Sequence, residues 1–175
     1  YKRNAGSGLS LRSLSTFSKS LGKATRMQAT AGVEWLRGYF MDKLYDNNFG
    51  FVGAMREDAE LFTHQLSAFA QVQLQLPYQF NLTVGTSYNF VQYSIHDFMQ
   101  AMVDSSQFVR VKRLPAIFAP RIALSKQFKQ HLSAYASLSY GFAPPLVDEI
   151  ILPTGAVNTN LTAEQGINYE LGVRG

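Results

Sequence analysis

The sequence predicts an all-β fold: a partial transmembrane antiparallel up-and-down β-barrel of about seven strands. Three observations carry that expectation. Apolar and polar residues alternate with a period of two over runs longer than ordinary strands. The connections between those runs alternate short and long. The composition is poor in charge, at 16%, yet 13% aromatic and 46% hydrophobic over 175 residues. A typical soluble domain carries roughly 25% charged residues. The mean hydropathy of -0.08 shows apolar and polar content nearly cancelling. A membrane barrel has that balance, because a polar face dilutes its apolar one. No stretch approaches the roughly 18 apolar residues of a transmembrane helix.

The first run, Leu9 to Phe17, is the weakest, because its serines blur the alternation. In the second, Met27, Ala29, Ala31, Val33 and Trp35 oppose Arg26, Gln28, Thr30, Gly32 and Glu34. The third is the clearest. Leu66, Ala68, Ala70, Val72, Leu74 and Leu76 form an oily face against Ser67, Phe69, Gln71, Gln73 and Gln75. In the fourth, Phe80, Leu82, Val84, Tyr88 and Phe90 oppose Asn81, Thr83, Gly85, Ser87 and Asn89. The fifth sets Phe118, Ile122, Leu124 and Phe128 against Ala119, Arg121, Ser125 and Gln127. The sixth sets Leu132, Ala134, Ala136, Leu138 and Tyr140 against Ser133, Tyr135, Ser137 and Ser139. The seventh sets Tyr169, Leu171 and Val173 against Asn168, Glu170, Gly172 and Arg174. Several runs reach the roughly 9 to 11 residues a tilted membrane strand needs. Their polar faces are amide, hydroxyl and glycine, which suits a hydrated lumen.

The segments Ser18 to Ala24, Pro77 to Gln79 and Lys129 to His131 are short; Tyr39 to Phe62, Ser94 to Leu114 and Gly141 to Gly166 are long. Short periplasmic turns alternating with long extracellular loops orient an outer-membrane barrel. The first strand then runs toward the periplasm. Aromatics bunch at both expected boundaries: Tyr39, Phe40, Phe62, Phe90, Tyr93, Phe118, Tyr140 and Phe142 outside, and Phe17, Tyr78, Phe80 and Phe128 inside. Tyr and Trp favour the headgroup level. Seven strands do not close a barrel of even strand number, and an open sheet leaves backbone groups unpaired in lipid. Residues 1–175 therefore read as one partial barrel region, with the remaining strands expected outside it and both ends resembling cuts.

Several function classes are excluded or weakened. There are no cysteines, so disulfides and thiolate metal sites are absent. His64, His96 and His131 lack metal-ligand spacing. No nucleophile elbow, phosphate loop or zinc motif occurs, so no enzyme, cofactor or metal is expected. The net charge of +4 is scattered apart from Arg110, Lys112 and Arg113, which argues against nucleic-acid binding.

The stretch beginning at Gly141, GFAPPLVDEIILPTGAVNTNLTAEQGINYELGVRG, resembles a signature segment of TonB-dependent outer-membrane receptors. The matching positions are Gly141, Phe142, Pro144, Pro145, Glu149, Asn158, Leu161, Glu164, Gly166, Asn168, Tyr169, Glu170, Leu171 and Gly172. LSAFAQVQLQLPYQFNLTVGTSYNFVQYS, APRIALSKQF and AGVEW are also similar to that family's strands. The resemblance covers most of the chain from about Ala29. It implies a middle-to-late portion of a 22-stranded barrel in the outer membrane of a Gram-negative bacterium, with a plug domain outside these residues. It further implies import of a scarce solute, above all a ferric siderophore, driven by the proton-motive force through TonB.

The candidate residues follow. Arg26, Glu34, Gln65, Asn89, Arg121, Tyr135, Glu170 and Arg174 fall on lumen faces, where they can meet ligand or plug; plug contact is favoured for the charged ones. Asn168 and Glu170 should face the lumen and Tyr169 lipid. Together with Glu164 they gate or bind ligand, or they order the loop-to-strand junction; the structural role is favoured. Arg110, Lys112 and Arg113 in a long loop either steer an anionic chelate or hold lipopolysaccharide at the rim. Glu57, Asp58 and Glu60 read as a solvated acidic face, and Met99 and Met102 as unremarkable loop residues. Two other functions compete. A porin-like passive pore would share the alternation but lack the Pro-Pro to Tyr-Glu-x-Gly segment. A soluble β-barrel binding protein would reverse the polarity of its faces.

Overall fold

The computed structural model describes residues 1–105, 108–129, 131–150, 158 and 160–175. The described residues form an antiparallel sheet of eight strands: β1 (Lys2–Ser20), β2 (Arg26–Asn48), β3 (Phe51–Leu76), β4 (Phe80–Asp97), β5 (Val109–Arg113), β6 (Ile117–Lys129), β7 (Leu132–Ala143) and β8 (Glu164–Arg174). Two short helices, α1 (Phe98–Val103) and α2 (Val147–Ile150), lie in the connections. Seven strands pair in the order β1-β2-β3-β4-β6-β7-β8, and β5 pairs with β4 beside that path. The seven expected runs are the seven of the path. The blurred first run is a full strand of 19 residues.

Register places the apolar rows together. Trp35 faces Leu66, which faces Phe90. Val72 faces Val84, which faces Ile122, which faces Leu138, which faces Tyr169. Because side chains alternate strictly, one such row puts every intervening polar residue on the opposite face. The exposure is inverted relative to a soluble protein. Leu66, Val84, Ile122 and Leu138 are each 45–49% exposed, while Ser67, Gln71 and Thr83 between them are half-buried on the other side. A curved sheet crowds its concave face and spreads its convex one. Here the convex face is the oily one, as lipid requires.

The long connections differ from irregular loops. Tyr39 to Phe62 is a continuation of β2 and β3, paired up to Asn48 opposite Phe51. Phe49 and Gly50 form the tip, both at positive φ (50° and 97°), the geometry of a two-residue hairpin turn. The 26 residues of β3 exceed twice what a membrane crossing needs, so about half the hairpin stands outside. Ser94 to Leu114 holds the end of β4, α1 and β5. Gly141 to Gly166 holds the end of β7, α2 and the start of β8, with residues 151–157 and 159 outside the described part. Of the short turns, Pro77–Gln79 is a single 3-10 turn, and 21–25 joins β1 to β2. Gln130, between β6 and β7, lies outside the described residues.

One seam is incomplete. β6 and β7 pair from Lys129–Leu132 up to Arg121–Ser139 and no further, although β6 continues up to pair with β4 through Ile117. The ladder stops beside Pro120, which has no N–H to donate. Since the β4 side runs unbroken past Pro120, the missing donor falls on the β7 side.

The buried apolar cluster lies beyond the membrane rows. Leu61, Val91, Tyr93 and Ile95 continue the lumen face of β3 and β4, and Leu114, Ile117, Ile150 and Ala163 cover them. Leu61, Ile95 and Ile150 are almost fully buried, each worth roughly 1.5–3 kcal/mol. Four aromatics expected at the outer boundary belong here instead. Tyr93 is buried in the cluster, and Phe40 and Phe142 pack against it. Tyr140 also packs against it and donates a hydrogen bond to Gln165 Oε1 at 2.5 Å.

Candidate functional site

The polar, concave face of the sheet is the candidate site. Its rows are set by the pairing that aligns the oily face. Near the short-turn ends, Arg26 pairs with Ser20 and Gln75, and Asn81 with Ser125, which pairs with Tyr135, which pairs with Gly172. One row higher lie Gln73, Thr83, Ala123, Ser137 and Glu170. Above that come Gly85, Arg121, Ser139 and Asn168. Gln65 pairs with Leu36 and Val91, and Asn89 with Ile117, at the upper margin. All eight lumen candidates thus share one face, and Tyr169 is on the other at 82% exposed.

The face brings only some of them together. Tyr135, Glu170 and Arg174 line one open recess of about 680 Å³ with Asn81, Ser125 and Ser133. Arg26, Glu34, Gln65, Asn89 and Arg121 lie apart from it. Glu34 has a partner the alternation did not single out: Arg12 Nε is 3.7 Å from its Oε2. The Arg12 guanidinium also lies 5.2 Å from the Phe69 ring centroid. The serines that blur β1 hide Arg12; its place opposite Glu34 follows only from register. Asn89 is buried, donating to Ser87 Oγ at 2.8 Å and to the Ile117 carbonyl at 3.4 Å.

The motif residues have visible structural duties. A Cβ on Gly172 would fall 2.5 Å from the Tyr135 ring, and one on Gly141 3.1 Å from Asn168 Nδ2. Each glycine leaves room for the side chain directly or diagonally across the strand. Tyr93 donates its hydroxyl to the Pro145 carbonyl at 3.1 Å. Glu149 Oε2 accepts from Leu146 N at 2.8 Å, closing the turn that starts α2 after Pro144 and Pro145. Asn158 Oδ1 accepts from Asn160 N at 3.2 Å, and Asn158 N donates to the Ile150 carbonyl at 2.9 Å. Glu164 opens β8 opposite Ala143.

Arg110, Lys112 and Arg113 do not form one patch. They lie on β5, where Arg110 and Lys112 pair with Ile95 and Tyr93, and Arg113 pairs with Gln92. Alternation therefore sends Arg113 to the opposite face, where its Nε donates to Gln92 Oε1 at 2.9 Å. Arg110 Nε is buried without a hydrogen-bond partner.

The acidic group Glu57, Asp58 and Glu60 is not a solvated face. Asp58 accepts from Lys43 at 2.9 Å, and Glu60 from the Tyr39 hydroxyl at 3.0 Å. That bond to Asp58 raises the Lys43 pKa above its ordinary value. Glu57 turns inward, where burial, and next the Asp42 carboxylate, push its pKa up. At the tip Asp46 binds Arg56 Nε through both oxygens, at 2.8 and 2.9 Å, and the bond to Arg56 holds its pKa below the usual value. His96 lies between Phe62 and Phe108 with tilted rings, at 4.9 and 5.2 Å between centroids. Among the described residues, no group of three His, Asp or Glu side chains is placed to hold a metal ion.

A family model described as TonB dependent receptor-like, beta-barrel matches residues 2–175. No curated protein matches. Among solved structures the chain is similar to the ferric citrate transporter FecA, at 11% identity and TM-score 0.73, over 98% of this chain and 25% of that one. It is also similar to the siderophore receptor PiuA from Acinetobacter baumannii, at 11% identity and TM-score 0.73, over 98% and 29%. The alcaligin outer-membrane receptor FauA from Bordetella pertussis follows at 17% and TM-score 0.61, over 98% and 26%. The chain spans between a quarter and a third of each of these proteins, and the likeness is one of fold.

Proposed function

Because this chain belongs to the TonB-dependent receptor β-barrel family, we propose that it forms part of the wall of an energised outer-membrane importer, a transporter and not an enzyme. Its cargo is a scarce solute, a ferric siderophore above all, and its energy is the proton-motive force delivered by TonB. The observation that carries the reading is the inverted sheet: an oily convex face, a polar concave face, and a packed rim above them. A lumen lined with amides, hydroxyls and scattered charge suits a polar plug and a polar cargo passing over it. A passive pore would have no use for the Pro-Pro to Tyr-Glu-x-Gly sequence segment.

The recess of Tyr135, Glu170 and Arg174 lies at the short-turn end, farthest from arriving solute. Its partner in this reading is the plug. Arg110 and Lys112, near the upper margin, are the residues that meet an anionic chelate, with lipopolysaccharide as the alternative partner of the outward Arg113. The test uses the full-length protein in its host under iron limitation. Deleting the gene should abolish uptake of at least one radiolabelled ferric siderophore, and a protonophore or loss of TonB should do the same. Uptake that persists without a proton gradient would make the barrel a passive pore.

A further inference from the structure

We propose that the outward face of β4 and β6, at the short-turn end, carries a binding site for the phosphate of an anionic phospholipid, with Lys126 as its cationic contact. The proposal rests on the membrane orientation given above. Register places Lys126 opposite Phe80 and Ala134, in line with Leu124 and Ile122 on the lipid-facing side. It follows Phe118, Pro120, Ile122 and Leu124, which are apolar on that side of β6. Its ammonium lies 4.5 Å from the Phe80 ring centroid and 5.0 Å from that of Phe128. Phe128 sits in the bulge between Gln127 and Lys129.

Three physical points turn this cluster into a site. First, depth: Phe80 directly follows the turn Pro77–Gln79, so the ammonium sits at the headgroup level of the periplasmic leaflet, where aromatic rings and snorkelling lysines gather. Second, fixation: two rings attract the cation electrostatically and hold a side chain that otherwise samples many rotamers. Third, charge: among the described residues no carboxylate pairs with Lys126, and the rings accept none of its N–H groups in the way an oxygen does. A half-buried lysine held by two rings, with no counter-ion among the described residues, calls for an anionic oxygen from the lipid. Lys19 lies on the same face at the same end, opposite Met27, but no ring holds it among the described residues.

The experiment titrates the detergent-solubilised full-length protein with phosphatidylglycerol and, separately, phosphatidylethanolamine, and counts retained lipids by native mass spectrometry. Heat-modified electrophoretic migration verifies a folded barrel for each variant. The wild type should retain phosphatidylglycerol about fivefold better, the preference expected of one lysine near an anionic headgroup. Lys126→Gln should remove that preference and Lys126→Arg keep it. Phe80→Leu with Phe128→Leu should weaken it, and Lys19→Gln should leave it. An absent preference in the wild type, or an equal loss in Lys19→Gln, would reduce Lys126 to an ordinary rim charge and overturn the site. A wild type that stays soluble and folded without detergent would instead overturn the membrane reading.

Discussion

Replacing Gly32 by alanine should be among the most damaging single-methyl additions in the sheet. Gly32 lies on β2 between Leu14 of β1 and Phe69 of β3. A Cβ there would fall 2.5 Å from the Ser13 carbonyl oxygen, 3.1 Å from Leu14 Cα and 2.7 Å from Phe69 Cζ. Two of those atoms are backbone. Relief requires β1 to move off β2, stretching the ladder that joins them, and overpacking of this kind costs about 1–3 kcal/mol. Gly172→Ala makes an instructive contrast. Its three nearest atoms all belong to the Tyr135 side chain, which can swing aside, so only cross-strand packing of about 0.2–1 kcal/mol is lost. At Gly38 the nearest atom is 3.5 Å away, an ordinary contact. Gly38→Ala should be neutral or stabilising by up to about 1 kcal/mol through the unfolded chain. The measurement is urea unfolding of the full-length protein in phospholipid vesicles. Tyr135→Ala should make Gly172→Ala silent, whereas Phe69→Ala should rescue Gly32→Ala only in part, because the Ser13 oxygen remains. Full rescue by Phe69→Ala, or equal damage from Gly38→Ala, would refute the reasoning.

Phe49 is fully exposed at the hairpin tip with φ at 50°, so Phe49→Asn loses no burial and relieves about 1 kcal/mol of left-handed strain; slower amide exchange around Tyr45 and Met55 would show it. Pro120→Val restores an N–H and should extend the β6–β7 ladder, seen as slower exchange at Tyr140 to Ala143; unchanged exchange would place the cause elsewhere. The pH response of the hairpin should have two opposed parts. Asp46, with its pKa lowered by Arg56, stabilises above the ordinary Asp value of 3.8, and that contribution fades as pH falls through the lower folded value. Glu57, with its pKa raised by burial and Asp42, stabilises below the ordinary 4.5 and loses this as pH rises through the higher folded value. Glu57→Gln should therefore increase exchange protection at neutral pH, and Arg56→Gln should reduce it.

The sequence by itself determined which strands cross the membrane and which face of each is oily. Side chains alternate with a period of two, so the solvent on each side of a strand is written into its residues. The oily rows from Met27 to Val173 are aligned as read, and Asn168, Tyr169 and Glu170 fall on the faces the alternation assigns. Tertiary structure decided what alternation does not encode. Outside the membrane both faces of a strand meet water or protein, the pattern loses its meaning, and Tyr39 to Phe62 reads as a loop although it is paired almost to its tip. Phe40, Tyr93 and Phe142 read as boundary aromatics for the same reason, and packing from α2 and Leu114 draws them into a core instead. Pairs such as Arg12 with Glu34, Gly172 with Tyr135 and Lys126 with Phe80 depend on register, which no single strand contains. A one-residue slip would invert every face, so the burial of one side fixes the register, and the register then decides which residues meet.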